Sequence, residues 1–197
     1  MCSRYKLREI EDDEEALEEI IALLQRRPAA QTEGLKTSGE IAPTDVAPVI
    51  ARSRRGETSA FAMRWGYRTP AGLVINARSE TAQEKPLFAD GMLRRRCLIP
   101  ASCYFEWERR GREKVRYAIR PQEAGLVYMA GLYRPMDARG AAEFVVLTRD
   151  AAEEIAFIHP RMPVMLTGDA RERWLDPACD AKAVLDEAAK RLAFGAA

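Results

Sequence analysis

The sequence contains a single histidine, His159, and only 6 lysines beside 25 arginines. Its four cysteines, at positions 2, 97, 103 and 179, include no C-x-x-C pair. That spacing argues against a structural zinc site, and unpaired thiols suit a reducing compartment. No stretch approaches the ~20 consecutive apolar residues that carry a helix across a bilayer, so no membrane partner is expected. The start of the chain does not read as a secretory leader. Behind Cys2 it runs into acid, REIEDDEEALEE, where a leader needs a long apolar core. Low-complexity tracts, internal repeats and linker-like runs are missing too. One domain over 1–197 is therefore expected, working in the cytoplasm as a monomer. A net charge of one sign is also lacking: 31 basic and 30 acidic residues leave +1, which names no partner.

The charge that is there is unevenly placed. Residues 1–44 hold 6 basic and 10 acidic groups, whereas residues 45–120 hold 16 and 8, a local net of +8. Arginine forks fit phosphate oxygens and stack on planar rings, which lysine does poorly. An arginine-rich middle hints at nucleic acid, with ordinary solvated surface as the alternative.

Periodicity predicts an α+β fold, strand-rich in the middle with a helix near each end. In DDEEALEEIIALLQRRP, Leu17, Ile20, Ile21 and Leu24 form one apolar stripe. Asp12 with Glu15 resembles a capping box, and Pro28 ends the helix. Residues 29–44 read as a loop. Phe61, Met63 and Trp65 alternate as in a strand. GLVINA, RCLIPASCYFEWERR (two pieces around Pro100), REKVRYAIR, GLVYMAGLYRP and EFVVLTRD read as further strands. AAEEIAFI and DAKAVLDEAAKRLA read as helices.

Several residues suit chemistry. Cys2, once Met1 is removed, carries a thiol and a free α-amine on adjacent carbons, a pair that no internal residue offers. His159, in IAFIHPRMP, is the side chain that most readily moves protons near neutral pH, and it sits in a loop at the end of an element. A structural histidine is the alternative. Alternation puts Glu106 on one face with Tyr104 and Glu108, and Cys103, Phe105 and Trp107 on the other. Flanking rings would bury the Glu106 carboxylate and suit it to proton transfer, unless it simply faces solvent. In NARSE, Asn76 can orient a carbonyl and Arg78 can grip a phosphate; a turn is the alternative. Trp65, beside Arg64, is a base-stacking platform or a core residue. Cys97 and Cys103 read as core thiols.

Cys2 beside the start, RWG, NARSE, CLIPASCYFEW and HPRMP, in that order, resemble the SRAP family, the SOS response-associated peptidases. The resemblance runs from Cys2 to about Leu175. It implies a strand-rich fold with barrel-like antiparallel and mixed sheets. It also implies a covalent sensor of abasic sites in single-stranded DNA, including fork junctions, with a thiol autopeptidase activity. Carried over by position, Cys2 is the nucleophile, Asn76 the orienting amide, Glu106 the acid/base carboxylate and His159 the second proton-transfer group. Arg4, Trp65, Arg78 and Arg161 line the DNA groove. DNA binding would place the protein on the nucleoid. Neither a metal nor a cofactor is implied.

The chemistry is consistent with a two-nucleophile residue. An open-chain abasic deoxyribose presents an aldehyde. An amine with an ordinary pKa near ~8 attacks it and loses water, and the neighbouring thiol closes a five-membered thiazolidine. Two other readings fit the same residues: a cysteine peptidase using Cys2, His159 and Glu106, and a non-catalytic single-strand binder. The chain departs from the family start Met-Cys-Gly-Arg-Phe in having Ser3 and Tyr5. Serine for glycine would strain the backbone if that residue had φ > 0.

Overall fold

The computed structural model describes residues 2–7, 14–122, 125–135 and 142–197. Most strands fall into two sheets. In the larger, β12 (Glu143–Asp150) lies parallel to β4 (Thr58–Trp65), while β4 pairs antiparallel with β3 (Val46–Arg52). β3 pairs with β8 (Arg96–Ala101), and β8 with β11 (Val127–Arg134). β11 pairs back onto β12, so the sheet closes on itself. Closure removes exposed edges from that ring. Two short strands, β7 (Asn76–Arg78) and β13 (Arg161–Pro163), flank β12, and β14 (Met165–Leu166) lies on β11. The second sheet runs β15 (Leu192–Ala196), β10 (Glu113–Pro121), β9 (Cys103–Arg110), β1 (Arg4–Leu7) and β2 (Gly39–Ile41). A hairpin of β5 (Tyr67–Thr69) and β6 (Gly72–Val74) stands apart. This is the strand-rich, barrel-like mixture of antiparallel and mixed sheets that the sequence predicts.

One buried cluster spans both sheets, with Tyr5, Tyr104 and Ile119 from the second meeting Val49, Trp65, Ile99, Met129 and Phe144 from the ring. The first helix, α1 (Glu14–Gln25), buries Leu17, Ile20 and Leu24 of its apolar stripe, with Ile21 half-buried. Just past its end Arg27 ties it to β4, donating Nε to the Ala60 carbonyl at 2.7 Å and lying over the Phe61 ring. Asp12, half of the expected capping box, lies outside the described residues.

The departures from expectation have tertiary causes. The 95–110 segment divides at Ser102, not at Pro100, which sits inside β8 opposite Tyr128. Ser102 N–H donates to the Lys6 carbonyl at 2.7 Å, and there the chain passes from the ring to the second sheet. AAEEIAFI holds one 3₁₀ turn, Glu153–Ile155, where a helix was expected. The last predicted helix is only α4 (Ala181–Asp186); residues 187–191 are irregular, and Leu192 and Ala193, its predicted end, begin β15 against β10. Cross-strand pairing overrides a weak local preference there. Helices α2 (Pro86–Arg94) and α3 (Ala170–Leu175) and strands β1, β2 and β3 go beyond the sequence reading. For α2, proline at its first position was an available signal.

Gly131, in the middle of β11, marks the tightest point of the ring. A Cβ there would lie 2.7 Å from the Val145 carbonyl oxygen and 3.2 Å from Cys97 Sγ, and would strike Ile99 Cδ1 as well. Backbone cannot yield as a flexible side chain does. Gly131→Ala is expected to lower stability by about 1–3 kcal/mol, the usual cost of overpacking. A urea melt would reveal it as a lower midpoint at unchanged slope; an unmoved midpoint contradicts the packing described.

Candidate active site

β1 is wedged between β9 and β2, with Arg4 opposite Phe105, Tyr5 opposite Tyr104 and Lys6 opposite Cys103. Cys2 lies two residues ahead of this strand and is fully buried, its Sγ 3.8 Å from the Arg4 carbonyl. Ser3 has no positive φ; among the described non-glycine residues only Thr44 does. The serine therefore brings no backbone strain at the residue next to Cys2.

Cys2 is held from the other sheet. Asn76, at the start of β7, donates Nδ2 to the Cys2 carbonyl at 2.8 Å. Its Oδ1 is buried without a hydrogen-bond partner among the described residues. Glu106 of β9 is 4% exposed. Burial pushes the Cys2 thiol far above its ordinary value, and the negative charge of Glu106 adds to the push. The thiol is thus held protonated. Tyr5 and Tyr104, paired across β1 and β9, have buried hydroxyls without partners among the described residues. Burial and, next, the neighbouring Cys2 raise the pKa of both phenols. Sequence reasoning missed these phenols as site residues, although alternation had placed Tyr104 on the face of Glu106.

His159 follows the 153–155 turn. The Arg161 backbone N–H donates to its Nδ1 at 3.0 Å. The Arg161 carbonyl lies 3.1 Å from the same nitrogen, so Nδ1 can accept from the backbone N–H or donate to the carbonyl according to the tautomer. The loop is anchored on both sides of the site. Phe157 packs edge-on against Tyr117, 5.9 Å between centroids, and Tyr117 faces Glu106 across β9 and β10. Arg161 leads into β13, which runs along β12 on the side opposite β7. The fold thus joins Cys2 to Asn76 directly, brings Glu106 close enough to act on the thiol, and sets His159 on the adjoining loop.

The four residues expected in a DNA groove separate into two kinds. Arg4 and Arg78 are exposed. Arg78 lies two residues from Asn76 and therefore on the same face of β7. Trp65 has to be corrected as a stacking platform: it is fully buried, tilted on Tyr5 and stacked on Phe144, with Nε1 donating to the Ile75 carbonyl at 3.0 Å. Arg161 is already committed. Its Nη1 donates to Glu80 Oε1 at 2.7 Å and Asp150 Oδ1 at 2.6 Å. Its Nη2 donates to Glu80 Oε2 at 2.8 Å and the Thr148 carbonyl at 2.7 Å. Hydrogen bonds from Arg161 hold the Glu80 carboxyl below its usual range. Glu80 closes the NARSE motif, yet its partner lies 81 residues away and was not legible in sequence.

An open groove of about 970 Å³ on the β3–β4 side, lined by Arg27, Arg52, Arg54 and Arg64, contains none of the four reactive candidates. Among the described residues no cluster of three or more His, Cys, Asp or Glu side chains suits a metal ion. No helix among them is long and apolar enough to cross a membrane.

The family model described as SOS response associated peptidase (SRAP) matches residues 1–194. The chain belongs to the SRAP family. It is 32% identical over 155 residues to the abasic site processing protein YoaM of Bacillus subtilis, covering 71% of this chain and 68% of that protein. It is 33% identical over 125 residues to the abasic site processing protein HMCES of Gallus gallus, covering 51% and 37%. For YedK of Escherichia coli, also an abasic site processing protein, the figures are 29% over 117 residues, 58% and 51%. The match thus spans from about a third to two thirds of these relatives' own lengths. The SRAP fold also superimposes on solved structures. A Bacteroides thetaiotaomicron protein gives a TM-score of 0.74 at 21% identity, covering 99% of this chain and 91% of that one. A phage-related protein of Bordetella bronchiseptica gives 0.75 at 22%, covering 100% and 94%.

Proposed function

We propose that this SRAP protein traps abasic sites in single-stranded DNA covalently, through Cys2 freed by removal of Met1. The observation that carries the reading is the Asn76 clamp on the Cys2 carbonyl, which fixes a buried Cys2 between two sheets and beside Glu106. Names of relatives as abasic site processing proteins support the substrate.

The steps balance without an added reagent. The sugar ring opens to an aldehyde as the anomeric hydroxyl gives up its proton and the departing ring oxygen gains one, with His159 relaying that proton between the two oxygens. The Cys2 amine adds to the aldehyde carbon, and Glu106 takes a proton from nitrogen and returns one to the hydroxyl, which leaves as water. The imine remains. Its carbon receives the Cys2 sulfur, the thiol proton passes to nitrogen, and a thiazolidine closes. Both nucleophiles belong to one residue, so closure is intramolecular. Asn76 Oδ1 stands as acceptor for a proton on the reacting amine, and Arg4 and Arg78 meet flanking phosphates.

The state of the thiol favours this reading over a cysteine peptidase. A peptidase needs a thiolate prepared in advance, usually beside a positive charge. Here burial and Glu106 keep the thiol neutral. Addition to an imine uses the thiol with its proton, which the imine nitrogen accepts.

Incubation with an abasic single-stranded oligonucleotide should yield one adduct, lighter by one water than the sum of its parts in intact-mass analysis. Processed protein that gives no adduct sinks the proposal. The Glu80–Arg161 pair supplies a second check. Glu80 competes with phosphate for Arg161, so Glu80→Gln is expected to tighten single-strand binding about 3- to 10-fold at low salt. It should also steepen the log–log salt slope by about 0.7, one phosphate contact. Unchanged affinity and slope in a fluorescence titration would show that Arg161 does not meet the strand.

A further inference from the structure

Three aromatic rings from three separate elements meet beside the reactive residues. Tyr117 of β10, Phe157 of the loop before His159 and Phe194 of β15 have centroids 5.9, 6.0 and 6.3 Å apart, edge-on or tilted. Tyr117 is buried, whereas Phe157 is 52% and Phe194 40% exposed. Rings left partly in water against one another offer faces on which another flat ring can stack.

Their placement says what they bind. Tyr117 faces Glu106 across the β9–β10 ladder, and directly opposed residues share one face of a sheet. Phe157 stands two residues ahead of His159. The rings therefore border the side of the site that Glu106 and His159 form. The adjoining β9–β10 turn exposes Arg109, Arg110, Arg112 and Lys114. Arg110 reaches back to the rings, donating Nη2 to the Tyr117 hydroxyl at 2.9 Å, and is paired through Nε with Glu108 Oε2 at 2.8 Å, which leaves Arg109, Arg112 and Lys114 as the cations offered to a strand. Rings bordered by arginines form the combination that holds single-stranded nucleic acid, bases on the rings and phosphates on the guanidiniums. Two exposed phenylalanines are far too little apolar area for a stable protein interface.

We infer that Phe157 and Phe194, backed by Tyr117, form a shelf on which the nucleobase next to the abasic sugar stacks. This is the task that the sequence reading gave to Trp65, which is buried. The inference rests on the abasic-site reading of Cys2 and adds to it. A sugar without a base cannot be gripped by its own base, so its position along the strand has to be set by a neighbour. A stacked neighbour would hold the reactive carbon in line with Cys2.

The probe is a single-stranded oligonucleotide with 2-aminopurine on one side of a tetrahydrofuran, an abasic analogue that binds and cannot react. Stacking quenches 2-aminopurine. Wild-type protein is expected to quench it on one flank. Phe157→Ala and Phe194→Ala should remove the quenching and weaken binding about tenfold. Phe157→Leu keeps the apolar bulk and loses the ring, so it should also lose the quenching while its thermal midpoint stays at the wild-type value. No quenching on either flank, or quenching that survives in all three variants, overturns the shelf. Failure of the covalent chemistry would look different. If authentic abasic oligonucleotide gives no adduct while quenching is ring-dependent, the Cys2 mechanism falls and the shelf stands as a base-binding surface.

Discussion

Replacing Cys2 by serine is expected to abolish the heat-stable adduct while leaving one that only a reductant can fix. Serine keeps the α-amine, so the imine still forms with the sugar aldehyde. It lacks the sulfur that closes the ring, and an imine in water hydrolyses back. The intramolecular second attack supplies the durability, and effective molarities for such closures are large. Adduct surviving heat should fall by at least about 100-fold. Borohydride added during the reaction should rescue an adduct of reduced imine. A second variant isolates the amine: one residue inserted between Met1 and Cys2 turns the cysteine nitrogen into a peptide amide. That protein should give no heat-stable adduct, because no amine shares a residue with the sulfur and the five-membered ring cannot close. A Cys2→Ser protein whose adduct withstands heat as the wild type does would remove sulfur from the mechanism.

Glu106→Gln should slow crosslinking by about 10²- to 10⁴-fold, the range of a positioned proton-transfer group. The amide matches the carboxylate in shape, and single-strand affinity should stay at the wild-type value. The sign of the effect is diagnostic. Glu106 raises the Cys2 pKa by its charge, after the larger effect of burial. Removing the charge therefore eases thiolate formation. If forming the thiolate limited the rate, Glu106→Gln would accelerate the reaction. A decrease assigns the carboxylate to protons at the amine and the leaving water. Single-turnover rates on one abasic oligonucleotide decide between them, and an unchanged rate would leave Glu106 without a chemical part.

The four reactive candidates were legible because each lies in a short, locally distinctive stretch. Glu106 stood out by alternation between rings, and its near-complete burial agrees with that pattern. Trp65 shows the limit of such reading. RWG carries a ring next to an arginine whether the ring faces a base or the core. Only the packing of Tyr5 and Phe144 against it decides the matter. Arg161 is similar: an arginine behind a loop histidine looks free until Glu80 and Asp150 are folded onto it. One helix prediction was cut at its end by a competing strand. Leu192 and Ala193, the last two residues of that predicted helix, pair with Pro121 and Arg120 of β10, a ladder of hydrogen bonds that a short helix could not match.

Composition, periodicity and motif order by themselves determined the fold class and the family resemblance and singled out four candidates for the chemistry, because each is a property of neighbouring residues. The pairing of β12 with β4, the Asn76 grip on Cys2, the commitment of Arg161 and the meeting of Tyr117, Phe157 and Phe194 were decided by tertiary structure alone. Each joins residues far apart in sequence, and their proximity is a consequence of burying one shared core rather than of any local pattern.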